Sequence, residues 1–250
     1  LALVITGGSL GNVLGIPLGT LIGHALGWRS TFFVIFAASA LILLVVYKVL
    51  PEVNTLSKSS FKDLPKLISK SILFFVYFLT ILIITANFTT FTYISPLLQK
   101  IGKYSYNDII LILTAIGISG VIGSYIANKF IKKYSAQLVT VSLVVTIICL
   151  LLMSLFVNTK WLVYAVSFIW GMAWIIATFV FQSKIIENSK ESSDVAVSIY
   201  SGLYNLGIGG GALIGGIVSH RYGYEALAYV SITIVFMSII LFFLKKPKLF

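Results

Sequence analysis

The side chains of this sequence that could bind a small molecule are neutral amides, hydroxyls and aromatic rings inside long apolar stretches. The stretch 71–98 is the richest in them, with Thr80, Thr85, Asn87, Thr89, Thr90, Thr92, Tyr93 and Ser95. Uncharged polar groups and rings suit a neutral or weakly polar organic ligand. Threonines often bond to their own helix backbone, so part of this set is structural. The residues from which we expect contact with a ligand are Asn87, Tyr93, Trp174 and Gln182, followed by Trp170, Tyr204 and Asn205.

Groups for acid–base, nucleophilic or metal chemistry are scarce in the same stretches. No Asp or Glu lies in their interior, and Asp108 and Asp194 stand at the starts of stretches, where helix capping accounts for them. The single cysteine, Cys149, offers neither a disulfide nor a metal pair, and we expect it to be a packing residue. His24 lies within a turn of the end of its stretch, where a hydrogen-bonded interfacial histidine is expected, with pH sensing as the alternative. The sequence therefore predicts no enzyme, no metal site and no cofactor.

The elements that carry these residues are eight nearly uncharged stretches in a chain of 250 residues that is 59% hydrophobic and 10% charged. They cover residues 3–26, 30–50, 71–98, 109–128, 138–157, 161–183, 195–219 and 225–244. A helix of about 20 apolar residues crosses a bilayer core, and helices satisfy their own backbone groups in lipid. The sequence therefore predicts an all-α membrane protein with eight transmembrane helices.

The net charge of +11 is explained by membrane topology without a nucleic-acid partner. When the loops are assigned alternately to two sides, 13 of the 18 lysines and arginines fall on one side. These are Lys48, Lys58, Lys62, Lys66, Lys70, Lys129, Lys132, Lys133, Lys184, Lys190, Lys245, Lys246 and Lys248. Basic residues collect in cytoplasmic loops, so we expect the C-terminus and the loop 51–70 to be cytoplasmic.

A glycine recurs at every fourth position from Gly7 to Gly27, and part of this ladder returns 196 residues later. Gly11, Gly15, Gly19, His24 and Gly27 fall on Gly207, Gly211, Gly215, His220 and Gly223. The first stretch thus matches the seventh, which makes the repeat unit six helices. We therefore expect residues 1–50 to be the last two helices of an N-terminal six-helix bundle, residues 51–70 a cytoplasmic linker, and residues 71–250 a C-terminal six-helix bundle. The first four helices are expected upstream.

The stretch Gly11-x3-Gly15-Ile16-Pro17-x-Gly19-Thr20, which ends in Gly27-Trp28-Arg29, resembles the antiporter motif in the fifth helix of the major facilitator superfamily. "FTTFTYISPLL" with Tyr93 and Pro96, "WGMAW" with Gln182, and "YNLGIGGGALIGG" resemble the seventh, tenth and eleventh helices of its drug:proton antiporter group, in the bacterial sugar and arabinose efflux-like branch. One departure is that Ile16 separates Gly15 from Pro17, which are commonly adjacent.

The resemblance implies a secondary transporter of the bacterial plasma membrane, monomeric when full-length, that exports a small organic molecule such as a sugar, a nucleoside or a drug. Export by alternating access and coupled to protons is the expectation, with an uncoupled facilitator and a non-transporting scaffold as alternatives. In the family, the seventh and tenth helices line the central cavity. The acidic residue that carries the proton would then lie in the upstream helices.

The first glycine ladder has two interpretations. Small residues four apart let helix backbones approach closely in lipid, which a static packing contact would use. A contact without interlocking side chains can also slide, and Pro17 removes a backbone hydrogen bond from the same helix. In the family, this helix faces the fourth stretch, where Ala115, Ser119, Gly123 and Ala127 form a second small-residue row. The conformational residues expected from the ladder and its surroundings are Gly11, Gly15, Pro17, Gly19, Gly27, Arg29, Pro96, Gly207, Gly211 and Gly215.

Overall fold

The computed structural model describes residues 11, 15, 17–49 and 71–249, and for residues 191 and 245–249 it describes the backbone only. The chain forms two compact units, Leu1–Lys58 and Ser59–Phe250. Regular structure in the described residues is helical, and six of the helices are long and apolar enough to cross a membrane. The predicted all-α membrane fold is confirmed. The predicted linker 51–70 and much of the first predicted stretch lie outside the described residues.

The first unit contains helical residues 17–26 followed by helix α1, Trp28–Val49. The two helices meet where the ladder provides space: a Cβ on Gly19 or Gly23 would lie 3.6 Å and 3.2 Å from the Thr31 side chain. The Thr31 hydroxyl donates to the Gly19 carbonyl at 3.3 Å. Arg29 extends its guanidinium over the Trp28 ring, 4.7 Å from the ring centre.

The second unit is a bundle of long helices. Its elements are α2 Ser71–Phe91, α3 Ile94–Lys100, α4 Tyr106–Leu155, α5 Lys160–Asn188, a 3-10 turn Lys190–Ser192, α6 Ser193–Tyr222 and α7 Ala226–Leu249. The 50 residues of α4 contain the predicted stretches 109–128 and 138–157, with non-helical backbone at Tyr134 (φ −131°, ψ 29°) between them. Seven of the eight predicted stretches are therefore helical over most of their length. The remaining one, 3–26, is helical at its described residues 11, 15 and 17–26.

One predicted helix is interrupted. The stretch 71–98 breaks at Thr92 and Tyr93, where α2 ends and α3 begins. Pro96 explains the position of the break, because its ring cannot donate a backbone hydrogen bond and clashes with the carbonyl four residues earlier, that of Thr92. The Tyr93 amide turns back to the Thr90 carbonyl at 3.1 Å, a tighter closure than the helical one.

Two apolar clusters hold the second unit together. One contains Leu98, Ile112, Leu150 and Trp170, and the other contains Leu73, Leu143, Phe181 and Phe242, all at most 1% exposed. Each cluster combines side chains from helices distant in sequence. Burial of apolar surface against neighbouring helices therefore sets which faces of α2, α4 and α5 point inward.

The sequence repeat is also visible in the backbone. Gly27 and Gly223 both follow a helix and both have left-handed φ angles, +85° and +83°. The amide three residues later returns to each glycine carbonyl, from Ser30 at 3.0 Å and from Ala226 at 3.4 Å. A glycine is needed at this angle because other residues are strained there. The two copies thus reverse direction with the same turn.

Candidate functional site

Asn87 and Trp170 join α2 to α5 through a buried hydrogen bond. The Trp170 indole Nε1 donates to the Asn87 Oδ1 at 2.8 Å. The other end of the Asn87 amide donates to the Ile83 carbonyl of its own helix, also at 2.8 Å. Asn87 is 1% exposed and Trp170 equally so. Both ends of the Asn87 amide are therefore engaged within the protein, which makes Asn87 a residue that orients Trp170.

Four aromatic rings, that of Trp170 included, form a cluster next to this hydrogen bond. Phe88 meets Trp174 edge to face at 5.1 Å between ring centres, and Phe91 meets Trp174 at 5.4 Å and Trp170 at 6.2 Å. The spacings in sequence, three residues on α2 and four on α5, place each pair on one helix face. Trp170 and Trp174 were expected from the sequence, whereas Phe88 and Phe91 were missed, although their three-residue spacing was readable there.

Trp174 brings an unused donor into this cluster. Its ring is 7% exposed, and its Nε1–H has no hydrogen-bond partner. The Tyr204 side chain of α6 lies beside it. An indole N–H usually finds a partner when it is buried, because leaving it unpaired costs free energy. A polar group from a bound molecule can supply that partner.

The other expected contact residues lie elsewhere in the second unit. The Tyr93 hydroxyl donates to the Ala212 carbonyl at 2.9 Å, which ties the break after α2 to α6. Asn205 is exposed and donates to the Ser201 carbonyl of its own helix. Gln182 is partly buried two turns beyond Trp174 on α5. The structure therefore brings together Asn87, Trp170, Trp174 and Tyr204, and leaves the other three outside this group.

Two threonines of the stretch 71–98, and Thr178 of α5, bond to the backbone of their own helix, as expected for part of the set. Thr80 and Thr89 donate to the carbonyls four residues earlier, at 2.8 Å each. Thr178 does the same toward Trp174 at 3.2 Å. Thr90 forms a buried hydrogen bond with Ser231 of α7 at 2.8 Å. These hydroxyls stabilise the bundle rather than line a binding surface.

The second glycine ladder, Gly207, Gly211 and Gly215, is the contact surface between α6 and α2. A Cβ on Gly211 would lie 2.6 Å from the Thr85 carbonyl oxygen, and one on Gly215 would lie 2.6 Å from the Thr89 carbonyl oxygen. A Cβ on Gly207 would lie 2.8 Å from Ile84 Cβ. The two backbones are in direct contact, so this copy of the ladder is a packing surface within one bundle.

Comparison with known proteins identifies the family. Residues 1–195 match the model of the Major Facilitator Superfamily. The chain belongs to this superfamily. It is 36% identical over 230 residues to a "Probable sugar efflux transporter" of Helicobacter pylori strain J99, covering 92% of this chain and 59% of that protein. It is 37% identical over 248 residues to a protein of the same description from Mannheimia succiniciproducens, covering 99% and 62%.

The superfamily assignment confirms the resemblance that the antiporter-like motif and the ladders indicated. The chain spans about three fifths of the length of the curated relatives it matches. The motif residues Gly11, Gly15, Pro17 and Gly19 are helical where described. Gly11 and Gly15 are exposed, and a Cβ on either meets no described atom within 4 Å.

The small-residue row on α4 packs inside the second unit of this superfamily member. A Cβ on Gly123 would lie 2.7 Å from the Met172 carbonyl oxygen of α5, and one on Gly171 would lie 2.5 Å from the Ser119 hydroxyl. Ser119 and Ala127 are fully buried. The row was expected to face the first stretch of the sequence, but at Ser119 and Gly123 its described contact is with α5.

The capping role expected for Asp108 is confirmed. Its amide bonds to the Ser105 hydroxyl and its carboxylate accepts from the Ser105 amide, which is a capping box at the start of α4. The same carboxylate pairs with Lys160 at 2.8 Å and accepts from the Tyr164 hydroxyl at 3.0 Å. Asp108 thus joins the starts of α4 and α5.

Replacing Asn87 with leucine is expected to lower the free energy of unfolding by about 1–3 kcal/mol, because the buried Trp170 N–H loses its acceptor. The matched control is Asn205→Leu. Asn205 makes the same kind of bond to its own helix but is exposed, so its replacement should stay within about 0.5 kcal/mol of the parent. Melting temperatures in detergent measure both. Equal melting temperatures for the two variants would contradict the role given to Asn87.

Proposed function

We propose that this chain is the larger part of an exporter that moves a small, neutral, hydroxyl-rich molecule such as a sugar out of the bacterial cell. The observation that carries the proposal is the unpaired Trp174 N–H within a buried aromatic cluster between α2 and α5. Apolar walls with a few oriented polar groups are typical of small-molecule sites. Both relatives carry the name "Probable sugar efflux transporter", which agrees with this chemistry. The transporter works as a monomer in the plasma membrane.

The neutrality of the transported molecule follows from the side chains around Trp174. Asn87, Phe88, Trp170 and Tyr204 carry no charge at neutral pH. A charged ligand would lose its hydration there without gaining an opposite charge. An uncharged molecule with hydroxyl groups loses less on entering, because hydrogen bonds can replace those it made with water.

Transport proceeds by alternating access and is coupled to proton entry. The interiors of the apolar stretches of this chain hold no Asp or Glu, so the proposed proton-carrying acid is expected in the part of the relatives' length that this chain does not span. The same absence from these stretches favours a second candidate, an uncoupled facilitator. The two candidates differ in their response to loss of the proton gradient.

The test loads cells with radiolabelled arabinose, galactose or lactose and follows the sugar that they retain. Cells producing the protein should lose at least one of these sugars faster than cells with an empty vector. An uncoupler that collapses the proton gradient should abolish the difference if export is coupled, and should leave it if the protein is a facilitator. Equal retention with and without the protein, for every sugar, would contradict the proposed function.

The proposed orientation places the C-terminus in the cytoplasm, as the distribution of lysines indicates. Cysteines at Asn158 and at Lys190 would then lie on opposite sides of the membrane, and both positions are exposed. In a Cys149→Ala background, an impermeant maleimide added to intact cells should label the cysteine at Asn158. It should label the one at Lys190 only after lysis. The reverse pattern would overturn the orientation.

A further inference from the structure

Three lysines share one side of α4 just before the helix breaks. Lys129, Lys132 and Lys133 are all exposed and come directly before the non-helical residue Tyr134. Residues three and four apart lie on the same side of a helix, so the three ammonium groups are neighbours. The two apolar stretches of α4 flank this segment. The lysines therefore lie where the chain leaves one membrane span and enters the next.

No carboxylate balances these lysines in the described part of the chain. The sequence holds no Asp or Glu between Asp108 and Glu187. Those two carboxylates pair instead with lysines of α5, at 2.8 Å and 3.0 Å. The carbonyls at the end of a helix carry about half a negative charge, which offsets only a small part of three positive charges. This side of α4 is therefore strongly cationic.

Two exposed aromatic rings accompany the lysines. Lys129 Nζ lies 5.5 Å from the centre of the Phe130 ring, and Lys133 Nζ lies 5.1 Å from the centre of the Tyr134 ring. The rings are 40% and 39% exposed, and their centres are 6.5 Å apart. Ile131, between them in sequence, packs against the core of the second unit and holds the segment in place. Lysines and rings thus form a preformed surface, the lysine face, over residues 129–134.

We propose that the lysine face binds the headgroup of an anionic phospholipid. Each ammonium group can donate three hydrogen bonds, and phosphate oxygens accept them. Aromatic rings are favoured at the headgroup level of a bilayer, so Phe130 and Tyr134 suit the same depth as the phosphate. A zwitterionic headgroup would bring its own cation next to the lysines and gain less. The proposal does not depend on the proposed transport function, because it concerns the surrounding lipid.

The test measures lipid binding to the purified chain in neutral detergent. The protein is titrated with phosphatidylglycerol or with phosphatidylcholine in mixed micelles, and bound lipid is counted by native mass spectrometry. A lysine near an anionic membrane surface strengthens binding by roughly fivefold, so three could together contribute about a hundredfold. We expect phosphatidylglycerol to bind at least about tenfold more tightly than phosphatidylcholine, and this preference to shrink at high salt.

The decisive variant is Lys129→Gln/Lys132→Gln/Lys133→Gln, which should reduce the preference for phosphatidylglycerol to within about twofold. Replacing the same three lysines with arginine keeps the charge and should keep the preference. Melting temperatures without added lipid show whether each variant is folded. If the glutamine variant does not fold, Lys132→Gln alone should weaken phosphatidylglycerol binding by about fivefold, and parent-like binding by it would contradict the proposal.

The matched control is Lys100→Gln/Lys103→Gln/Arg221→Gln, which removes the same net charge from three other exposed positions, at or near the ends of α3 and α6. It should bind phosphatidylglycerol within about twofold of the parent. An equal loss in the control would show that net charge alone attracts the lipid, and the proposal would be wrong. Equal binding of both lipids by the parent, or displacement of the lipid by equimolar glycerol 1-phosphate, would also overturn it. Failure of the efflux assay would leave these outcomes unchanged.

Discussion

Replacing Gly211 with leucine is expected to leave almost no folded protein. A Cβ at this position would lie 2.6 Å from the Thr85 carbonyl oxygen and 2.9 Å from the Thr89 amide nitrogen. Both are backbone atoms of α2, which cannot rotate away as a side chain can. Helix association in a membrane depends on close packing, so forcing α6 away from α2 removes contacts along the whole ladder. The measurement is the yield of monodisperse protein in detergent and its melting temperature.

Gly209→Leu is the matched control, because it changes the same residue type on the same helix two positions away. A Cβ at Gly209 meets no described atom within 4 Å. Leucine also favours the helix over glycine by roughly 0.8 kcal/mol, so this variant should be produced at the parent level or better. If Gly211→Leu is produced in the same amount as Gly209→Leu and melts at the same temperature, that result would contradict a close backbone contact between α6 and α2 at Gly211.

Replacing Gly15 with leucine is expected to reduce transport below about a tenth of the parent rate while leaving the amount of protein nearly unchanged. Gly15 corresponds to Gly211 in the repeat, but no described atom lies within 4 Å of a Cβ placed there. Bulk at Gly15 therefore does not disturb the described packing. Under the sliding-contact interpretation, the isobutyl group would instead block a contact that forms during the transport cycle. Pro17 removes a backbone hydrogen bond from the same helix, which allows that helix to bend.

The assay for Gly15→Leu is sugar efflux from cells, with protein level and melting temperature measured alongside. Parent-rate transport by a normally produced variant would contradict a moving interface at this ladder. Loss of the protein itself, as expected for Gly211→Leu, would instead assign the first ladder to static packing like the second. Gly209→Leu again shows whether leucine on a ladder helix is harmful without a close neighbour.

The sequence by itself determined the apolar stretches, the repeat and the superfamily. Hydrophobic length predicts membrane helices because lipid leaves the backbone few alternatives, and seven of the eight predicted stretches proved helical over most of their length. The equivalence of Gly27 and Gly223 was readable as well, because a left-handed turn after a helix requires glycine. Pro96 carried the signal for the break after α2, although the stretch was expected to be one helix.

Only the tertiary structure decided which polar residues are engaged and which is unpaired. Asn87 and Trp174 looked alike in sequence, as polar groups at helical positions in apolar stretches. Packing of α2 against α5 gives Asn87 the Trp170 N–H as a partner, whereas no acceptor lies within hydrogen-bond geometry of the buried Trp174 N–H. Packing of α4 against α5 places Ser119 and Gly123 against the α5 backbone. These outcomes depend on contacts between residues some 50 to 80 positions apart, and the period of a single helix carries no information about its partner.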